Sequence, residues 1–300
     1  MASTDGGSPA ASITILAGGD LSASWGEQAK TSDLALALMK EKPIAAILTL
    51  GDYAYDQVGG SDVASSTREF TMFYKPSWGR PELLAITHPS LGNHEYDVSA
   101  AKDYFDYFNG AGKNTGPAGE RGKGYYSFNL GAWHFIALNT NCDEVPCSAT
   151  SAQITWLKAD LAANPTKCTI AYMHHSRWNE GKVHGSETGP VKTIWDTLYD
   201  GGAEVVLAAH EHSYQQFKPA NKAGALDVEK GMRQFIQGAA GADIFSEGFG
   251  STHAAIHEYN QNMDPAGFGV LEMTLNPDTY SWRFVATGNK VLVSGQDKCH

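Results

Sequence analysis

The sequence predicts an α/β fold in which two packed, mixed β-sheets are flanked by helices. Short apolar runs alternate with amphipathic segments of helical length over the first two thirds of the chain. Toward the carboxyl end, strand-like segments follow one another, which is typical of antiparallel hairpins. Clusters of polar and ionisable residues stand directly after several of the apolar runs. Together, these three observations predict a layered fold with polar and ionisable side chains at the ends of its strands.

The first half of the chain alternates strands and helices. Ile13, Ile15 and Leu16 form the first apolar run, and 44–50 is a continuous apolar run bounded by Pro43 and Gly51, as expected for a buried strand. Leu34, Leu38 and Met39 recur at helical spacing before Pro43. The predicted strands are 12–17, 44–50 and 83–87, and the predicted helices are 28–42, about 62–74 and 100–108.

The second half begins with a glycine-rich segment, 110–124, which we expect to be a mobile loop. Two strand-like runs around Gly131 and Ala132 then predict a β-hairpin. Ile154, Leu157 and Leu161 lie on one face of a predicted helix. The predicted strands are 125–130, 133–139, 168–173, 204–208, 234–236, 269–275 and 280–285, and the predicted helices are 151–163 and 191–199.

Length and composition limit the classes of protein. The chain has 300 residues, of which 42% are apolar, and we expect a flexible N-terminus at 1–11 followed by one domain at 12–300. No apolar run is long enough for a membrane span. The net charge of −11 disfavours a nucleic-acid polymer as partner but not a phosphorylated small molecule, because bound cations can dominate a site locally. The first residues lack the apolar core of a signal peptide.

The four cysteines permit three disulfide connectivities. Cys142 and Cys147 lie in one short loop, close enough to bridge, and we favour this pair. Cys168 and Cys299 would form the second pair. Four reduced thiols in a cytosolic enzyme are the alternative. Zinc binding is disfavoured because no CxxC spacing occurs.

A dispersed set of metal-ligand residues carries the functional argument. Carboxylate, amide, phenol and imidazole side chains follow apolar runs throughout the chain, and together they could hold a pair of metal ions. The set is Asp20, Asp52, Tyr55, Asn93, His174, His210 and His212. Asp52 is the natural bridge because one carboxylate has two oxygens. In an extended segment alternate residues point the same way, so both histidines of the His210-Glu211-His212 run could face one cluster.

The set divides into two groups that share Asp52. Asp20, Asp52, Tyr55 and His212 would hold one metal ion. Asp52, Asn93, His174 and His210 would hold the other. Two ions about 3.5–4 Å apart could activate a water and clamp phosphoryl oxygens, so that a metal-bound hydroxide attacks phosphorus in line with the leaving alkoxide.

With these motifs, the chain resembles the calcineurin-like metallophosphoesterases, and within them the purple acid phosphatase-like branch, in particular its secreted bacterial members. The resemblance runs from Ile13 to about Val285 and includes 78–80, 124–128 and 206–214. It implies a two-sheet core, a dinuclear metal site and an extracytoplasmic location. The large N-terminal domain of the plant enzymes is not present in the sequence.

Two positions favour this branch. Many metallophosphoesterases have a histidine two residues after the first aspartate, where this chain has Ser22, whereas the purple acid phosphatase pattern supplies a tyrosine, here Tyr55. A phenolate suits trivalent iron, so the resemblance implies Fe(III) at the Tyr55 site with Fe(II), Zn or Mn at the other. Ser22 and Ala209 replace residues that are usually glycine, and we expect an altered backbone fit at both.

Several residues are candidates for the substrate side of the site. His94 would hold the phosphate and protonate the leaving group, and the resemblance suggests His184 as a second substrate-side histidine. His175 would either orient His174 or face the substrate. Tyr214 is a candidate substrate contact, and Arg177, Trp178 and Asn179 are candidates for the rim. Glu95 and Glu211 are expected to support their neighbours rather than bind metal.

The predicted function is metal-dependent hydrolysis of phosphate esters, with a phosphomonoester as the favoured substrate. A phosphodiesterase acting on glycerophosphodiesters or nucleotides is the first alternative, since both kinds of enzyme share these ligands. A catalytically silent metal-binding module is the second. No ligand position and no His94 equivalent has been lost, which favours an enzyme.

Overall fold

A computed structural model describes residues 11–58, 61–165, 168–261 and 267–300. The predicted flexible segment 1–11 lies almost entirely outside these residues, and it stays a prediction, as does the single domain at 12–300. The strands are, in chain order, β1 (Ile13–Gly18), β2 (Ala46–Thr49), β3 (Tyr55–Val58), β4 (Ser61–Ala64), β5 (Thr87–Pro89), β6 (Thr115–Gly116), β7 (Gly119–Glu120), β8 (Tyr126–Leu130), β9 (Trp133–Ala137), β10 (Cys168–Tyr172), β11 (Val205–Ala208), β12 (Tyr214–Phe217), β13 (Arg233–Gln237), β14 (His257–Gln261), β15 (Gly269–Leu275), β16 (Thr279–Ala286) and β17 (Lys290–Lys298). The helices are α1 (Gln28–Glu41), α2 (Thr67–Glu69), α3 (Pro81–Leu84), α4 (Lys102–Asn109), α5 (Ala152–Ala163) and α6 (Val191–Asp200), and α2 continues into a π-helical turn at Phe70–Tyr74.

The strands form two mixed sheets that pack face to face. The first sheet has the order β17-β16-β15-β1-β2-β5, and the second has the order β14-β12-β13-β11-β10-β9-β8. In the first sheet β1, β2 and β5 run parallel, and in the second β9, β10, β11 and β13 run parallel. The predicted α/β class with two mixed sheets is therefore confirmed.

The core has three layers because each sheet is apolar on both faces. Ile15, Phe135, Leu207 and Met273 belong to the cluster between the sheets. A second cluster packs α1 and α4 against the outer face of the first sheet, and a third packs α5 and α6 against the outer face of the second. Helices therefore cover both outer faces, as predicted.

The favoured disulfide and the suggested second pair are both present in the structure. Cys142 and Cys147 close the short loop after β9, with their Cα atoms 5.2 Å apart. Cys168, at the start of β10, bonds Cys299, which follows β17, across a separation of 131 residues. The second bond therefore joins the two sheets. The alternative of four reduced thiols is excluded for this structure, since none of the four cysteines is free.

Three predicted elements were wrong or incomplete. The helix predicted at about 62–74 begins only at Thr67, because β4 pairs with β3 in a hairpin beforehand. The strand predicted at 83–87 is instead α3 followed by β5, since Pro81 at the first helical position and Glu82 in the first turn favour a helix start. The predicted mobile loop at 110–124 contains the short β6–β7 ladder.

A buried ion-pair network joins the first sheet to a helix. Glu272 on β15 is 3% exposed, and both of its oxygens accept hydrogen bonds from Arg283 at 2.8 Å. Lys42, just after α1, donates a third at 2.8 Å. Burial alone would raise the pKa of Glu272, but these two cations hold it below its usual value.

No helix in the described ranges is long and apolar enough to cross a membrane.

Candidate metal centre

Both sheets present the carboxyl ends of their parallel strands to one place. Asp20 follows β1, Asp52 follows β2 and Asn93 follows β5 in the first sheet. His174 follows β10 and His210 follows β11 in the second. Side chains at the carboxyl ends of parallel strands line the usual ligand crevice of α/β folds. The packing of two such edges therefore brings residues 190 positions apart into one cluster.

One group of donors surrounds the Tyr55 hydroxyl. The Tyr55 Oη lies 2.8 Å from Asp20 Oδ1 and 2.7 Å from Asp52 Oδ2. His212 Nε2 is 3.5 Å from Tyr55 Oη and 3.1 Å from Asp20 Oδ1. The structure thus brings together the four residues predicted for the first metal ion.

A second group of donors surrounds His174 Nε2. This atom lies 3.0 Å from Asn93 Oδ1, 3.1 Å from His210 Nδ1 and 3.1 Å from Asp52 Oδ2. The four residues predicted for the second metal ion are therefore also together. The same oxygen, Asp52 Oδ2, belongs to both groups, which is the position that a bridging carboxylate requires.

Backbone conformation at three of these positions is unusual. Asp20, Asp52 and His210 have φ values of 56°, 55° and 71°. Non-glycine residues in this left-handed region cost about 1–3 kcal/mol each and persist when the surroundings enforce them. Here Asp20 N donates to the Gly51 carbonyl at 3.0 Å and His210 N donates to Asp20 Oδ2 at 3.0 Å. These bonds hold the backbone in place at the ends of β1 and β11.

Hydrogen bonds on the far side of two imidazoles orient them. His174 Nδ1 lies 2.8 Å from the Leu50 carbonyl oxygen, so the carbonyl fixes Nδ1 as the protonated nitrogen and leaves Nε2 as a ligand atom. His212 Nδ1 contacts Asp243 Oδ1 in the same way and leaves Nε2 facing the donors. The His212 ring also packs flat on Phe245, with centroids 4.1 Å apart.

The Glu95 carboxylate ties two ligand loops together, as predicted for a supporting residue. Its Oε2 accepts from Asp52 N at 3.0 Å and from Gly92 N at 2.6 Å. Its Oε1 accepts from Tyr53 N at 3.0 Å. Burial and the negative charge of Asp52 raise the pKa of Glu95. The carboxylate thereby fixes the distance between the loop after β2 and the loop after β5.

The electrostatics of the cluster are those of a site built for cations. Burial would raise the pKa of Asp52, but the imidazoles of His174 and His94 hold it well below its usual range. Burial, followed by the charges of Asp20 and Asp52, raises the pKa of the Tyr55 phenol well above its usual range. A bound cation would invert this last effect, because a metal ion favours the deprotonated ligand.

A cavity of about 250 Å³ opens onto the donors and contains both predicted substrate-side histidines. His94 lines it, with Nδ1 2.9 Å from Asp97 Oδ2 and its ring 4.8 Å from the Tyr55 ring. His184 also lines it and stacks on His210, with centroids 3.8 Å apart. The loop of His184 is held by Glu211, whose Oε2 accepts from His184 N at 3.0 Å.

His175 lies beside the donors but faces a neighbouring pocket. Its Nδ1 is 2.8 Å from Thr140 Oγ1, and its ring centroid is 4.5 Å from that of His210. It lines a separate polar cavity of about 350 Å³ together with Asn93 and the Cys142 loop. Burial lowers the pKa of His175 strongly. These contacts place His175 next to two metal donors, and its two predicted roles, orienting His174 or facing the substrate, both stay predictions.

The prediction that Tyr214 contacts substrate was wrong. Tyr214 is fully buried in the core between the sheets, where its ring stacks on Phe284 with centroids 4.3 Å apart. Its hydroxyl donates to Gln216 Oε1 at 3.1 Å. As the first residue of β12 its side chain alternates toward the other sheet, so it cannot reach the cavity.

The three predicted rim residues are also structural. The Trp178 indole is buried against Trp195 with Arg177 stacked over its ring at 3.9 Å. Asn179 Nδ2 donates to Glu211 Oε2 at 3.1 Å. Arg177 and Asn179 also donate to backbone carbonyls close to His184 in the chain, and none of the three residues lines the cavity that contains the donors.

The two departures at small residues have simple explanations. Ser22 Oγ donates to the Tyr53 carbonyl at 2.6 Å and so faces away from the donors. The Ala209 methyl group fits because its neighbour is Gly19, where a Cβ would lie only 2.4 Å from Ala209 Cβ. Both replacements therefore leave the cluster intact.

Sequence reasoning missed five residues of the cavity wall or its support. They are Trp25, Asp97, Ala242, Asp243 and Phe245. Asp97 stands one helical turn after His94, a spacing that could have signalled its role. The Asp243 and Phe245 loop follows β13 and carries no apolar pattern or motif, so the sequence holds no comparable signal for it.

The donor set fits metal ions. Asp20, Asp52 and His174 offer ligand atoms within 4.8 Å of one another, and His174, His175 and His210 form a second such group. Carboxylate, amide and phenol oxygens with imidazole nitrogens suit hard and borderline cations such as Fe, Mn and Zn. The site and the fold together define a two-sheet α/β scaffold with a candidate metal centre at its strand ends.

Comparison with known proteins agrees with this class. A family model described as "Calcineurin-like phosphoesterase" matches residues 13–214, more than half of the chain. The chain belongs to the calcineurin-like phosphoesterase family, and membership implies a centre for two metal ions.

Its curated relatives are acid phosphatases. Over 160 residues the chain is 30% identical to purple acid phosphatase 21 of Arabidopsis thaliana, covering 49% of this chain and 36% of the relative. It is 29% identical to purple acid phosphatase 23 of the same plant, covering 60% and 43%, and 29% identical to human acid phosphatase type 7, covering 58% and 41%. The chain thus spans less than half the length of these relatives. The two plant relatives carry the name of the purple acid phosphatase branch that the sequence resembles.

Solved structures show the same fold at low sequence identity. The purple acid phosphatase PPD1 from yellow lupin seeds has a TM-score of 0.73 at 14% identity, covering 96% of this chain and 54% of that one. GAP50, the anchor in the inner membrane complex of Plasmodium, has a TM-score of 0.67 at 13% identity, covering 96% and 89%. At these identities the likeness concerns the fold alone.

Proposed function

We propose that the protein hydrolyses phosphate monoesters at a pair of metal ions. The observation that carries this proposal is the shared position of Asp52 Oδ2, which lies 2.7 Å from Tyr55 Oη in one donor group and 3.1 Å from His174 Nε2 in the other. A single oxygen common to two four-residue groups suits a bridging ligand. When bound, the metal pair would supply an activated water and a clamp for phosphoryl oxygens.

The chain's residues divide into holders and reactants. Asp20, Tyr55 and His212 would hold one ion, and Asn93, His174 and His210 the other, with Asp52 between them. Glu95, Asp243 and the Leu50 carbonyl fix these ligands in place through the hydrogen bonds described above. The ligand geometry therefore depends on contacts with groups outside the donor set.

His94 is the proposed group that binds and protonates the substrate. Asp97 engages Nδ1 at 2.9 Å, which leaves Nε2 available to a phosphoryl or leaving-group oxygen. The ring lines the cavity and contacts Tyr55, so its position relative to the donors is fixed. His184 would supply a second hydrogen bond to the substrate from the opposite loop, held there by Glu211.

The side chains around the cavity favour a small substrate. Its volume of about 250 Å³ admits a phosphate and part of its leaving group. Histidines on the wall offer hydrogen bonds to phosphoryl oxygens, and general acid catalysis by one such group contributes about 10²–10⁴ in rate.

A substrate panel tests the activity. Turnover by metal-replete protein is compared for two substrates, a monoester and a diester that share the same chromogenic leaving group. We expect faster turnover of the monoester. His94→Ala should retain two metal ions while losing about 10²–10⁴ in turnover. Preference for the diester would reassign the enzyme as a phosphodiesterase, and turnover of neither would reject the enzymatic function.

We propose Fe(III) at the Tyr55 site, with Fe(II), Zn or Mn at the other. The phenol oxygen lies within 2.8 Å of two carboxylate oxygens, so a trivalent ion there would have three anionic ligands. Tyr55→Phe should abolish visible phenolate-to-iron absorption while Tyr53→Phe, which changes a neighbouring core tyrosine, should retain it. A colourless wild-type protein that contains no iron would instead favour a Zn or Mn pair.

We infer that the protein acts outside the cytoplasm. Two disulfides in one chain are stable in oxidising compartments and rare in cytosolic proteins. Cell fractionation with an antibody against the chain tests this location, and recovery in the cytosol with reduced thiols would contradict it.

A further inference from the structure

A large aromatic side chain stands exposed at the cavity that contains the metal donors. Trp25 lines this cavity together with His94 and His184, yet its side chain is 44% exposed. Tryptophan is seldom left this exposed, because its indole gains from burial against another apolar surface. An exposed indole beside a polar, histidine-lined cavity offers a flat apolar surface to whatever enters.

The backbone that carries Trp25 is fixed on both sides. Ser24 N donates to the Tyr55 carbonyl at 3.0 Å, which anchors the segment to a residue of the donor cluster. Glu27 N donates to the Gly241 carbonyl at 2.7 Å, which anchors it to the loop of Asp243 and Phe245. The backbone that carries the indole is therefore anchored at a constant position beside the donors.

Close packing prevents the segment from shifting. At Gly26 a Cβ would lie 2.3 Å from the Gly241 carbonyl oxygen and 2.5 Å from Gln28 Oε1, so no larger residue fits without displacing backbone. Gln28 Nε2 in turn donates to the Ala23 carbonyl at 2.9 Å. A rigid aromatic surface binds a planar ligand at little cost in conformational entropy.

The part of the substrate that meets Trp25 is the leaving group. The phosphoryl group must lie against the donors and His94, and a cavity of about 250 Å³ cannot enclose a larger leaving group as well. The remainder of the ester therefore extends toward the open side, where the indole is exposed. Phe245 adds a second aromatic wall to the same cavity, next to His184 and His212.

We propose that Trp25 is a specificity-determining residue that stacks on a planar aromatic ring in the leaving group. The substrate class is thus phosphate monoesters of alcohols that carry a planar aromatic ring, such as nucleosides, rather than of simple sugars or polyols. This inference rests on the proposed phosphoesterase function. Stacking of a base on an aromatic side chain changes binding by about 5- to 150-fold.

Adenosine 5′-monophosphate and ribose 5-phosphate form a matched pair of probes. Both release the same kind of primary alkoxide, and only the nucleotide carries an aromatic base. For the metal-loaded protein we expect a higher kcat/KM for the nucleotide. Trp25→Ala should lower the ratio of the two kcat/KM values by about 5- to 150-fold, and Trp25→Phe should lower it less. Met72→Ala, which truncates another exposed apolar side chain away from the cavity, should leave the ratio unchanged.

Two outcomes separate this inference from the proposed function. Turnover of both probes with the same ratio in wild type and Trp25→Ala would overturn the role of Trp25 and leave the phosphatase function standing. If neither probe is hydrolysed, the proposed function fails, and calorimetry with the methylene-phosphonate analogues of both probes decides the role of Trp25. Tighter binding of the ring-bearing analogue that disappears in Trp25→Ala would support the stacking surface, and equal binding would refute it.

Discussion

The contact between Asp243 and His212 provides a direct way to weaken one metal position without removing a ligand. Asp243 engages His212 Nδ1, and the opposite ring nitrogen lies 3.1 Å from Asp20 Oδ1 in the donor group of Tyr55. Carboxylates that orient a histidine ligand usually account for 10- to 100-fold in metal affinity. Asp243→Ala should therefore cost about 1.4–2.7 kcal/mol of binding free energy at one of the two positions.

Phe245 limits the expected loss. Its ring packs flat on His212 at 4.1 Å, so the imidazole should stay near its place after Asp243 is truncated, and the protein should remain folded. The weakened position should refill at higher metal concentration. Activity of Asp243→Ala should accordingly recover toward the wild-type value when metal is in excess.

The assay is competition between the protein and a chelator of known affinity, with turnover measured on the same samples. Asp97→Ala is the matched control, because Asp97 orients His94, which is not a metal donor. That control should keep both metal dissociation constants and lose turnover at every metal concentration. Unchanged metal affinity in Asp243→Ala, or equal weakening of both positions, would refute the reasoning.

Three further predictions concern the scaffold. Replacing Cys299 by Ser opens a loop of 131 residues and should lower the free energy of unfolding by up to about 5 kcal/mol in the chain-entropy model, measured by denaturant titration against the wild type with Cys168 blocked in the variant. Glu272→Gln should lower the free energy of unfolding by about 1.5–3 kcal/mol at neutral pH. The pKa of Glu272 in the folded protein lies below the usual 4.5, so the difference in stability from wild type should shrink as the pH falls through that pKa. A difference in stability that persists in acid would contradict this. Tyr214→Phe should leave KM unchanged, since the ring lies in the core, and a raised KM would restore the substrate contact that the structure rejects.

Much of the ligand set could be predicted from the sequence because it depends on local patterns. Asp52 follows a continuous apolar run, and the spacing of His210 and His212 places both near the end of one strand. The predicted packing of two sheets is then sufficient to bring such strand ends together. Tyr55 stands three residues after Asp52 and joined the set by this closeness, whereas its interpretation as a ligand of trivalent iron came from the family resemblance.

Other parts of the site depend on tertiary packing that has no local signal. Tyr214 was predicted to contact substrate, but the alternation of side chains along β12 turns it into the core. Trp25 looks like an ordinary loop residue in the sequence. Its position at the cavity follows from anchoring to Tyr55 and Gly241, which are distant in the chain.

The fold shows the same division. The buried strand β2 and helix α1 have strong apolar patterns and lie close to their predicted bounds. Strand β17 was missed because it lies at the edge of the first sheet, where most of its side chains are exposed or half-buried and carry no apolar alternation. Edge strands are defined by their pairing partner, here β16, rather than by their own composition.

The metal content of wild type and Asp52→Ala, measured by elemental analysis on protein of known concentration, tests the central claim most directly. Because Asp52 Oδ2 belongs to both donor groups, we predict about two metal ions per chain in the wild type and loss of both in the variant. Retention of two ions by Asp52→Ala, or a wild type that binds a single ion at saturation, would contradict a bridged pair.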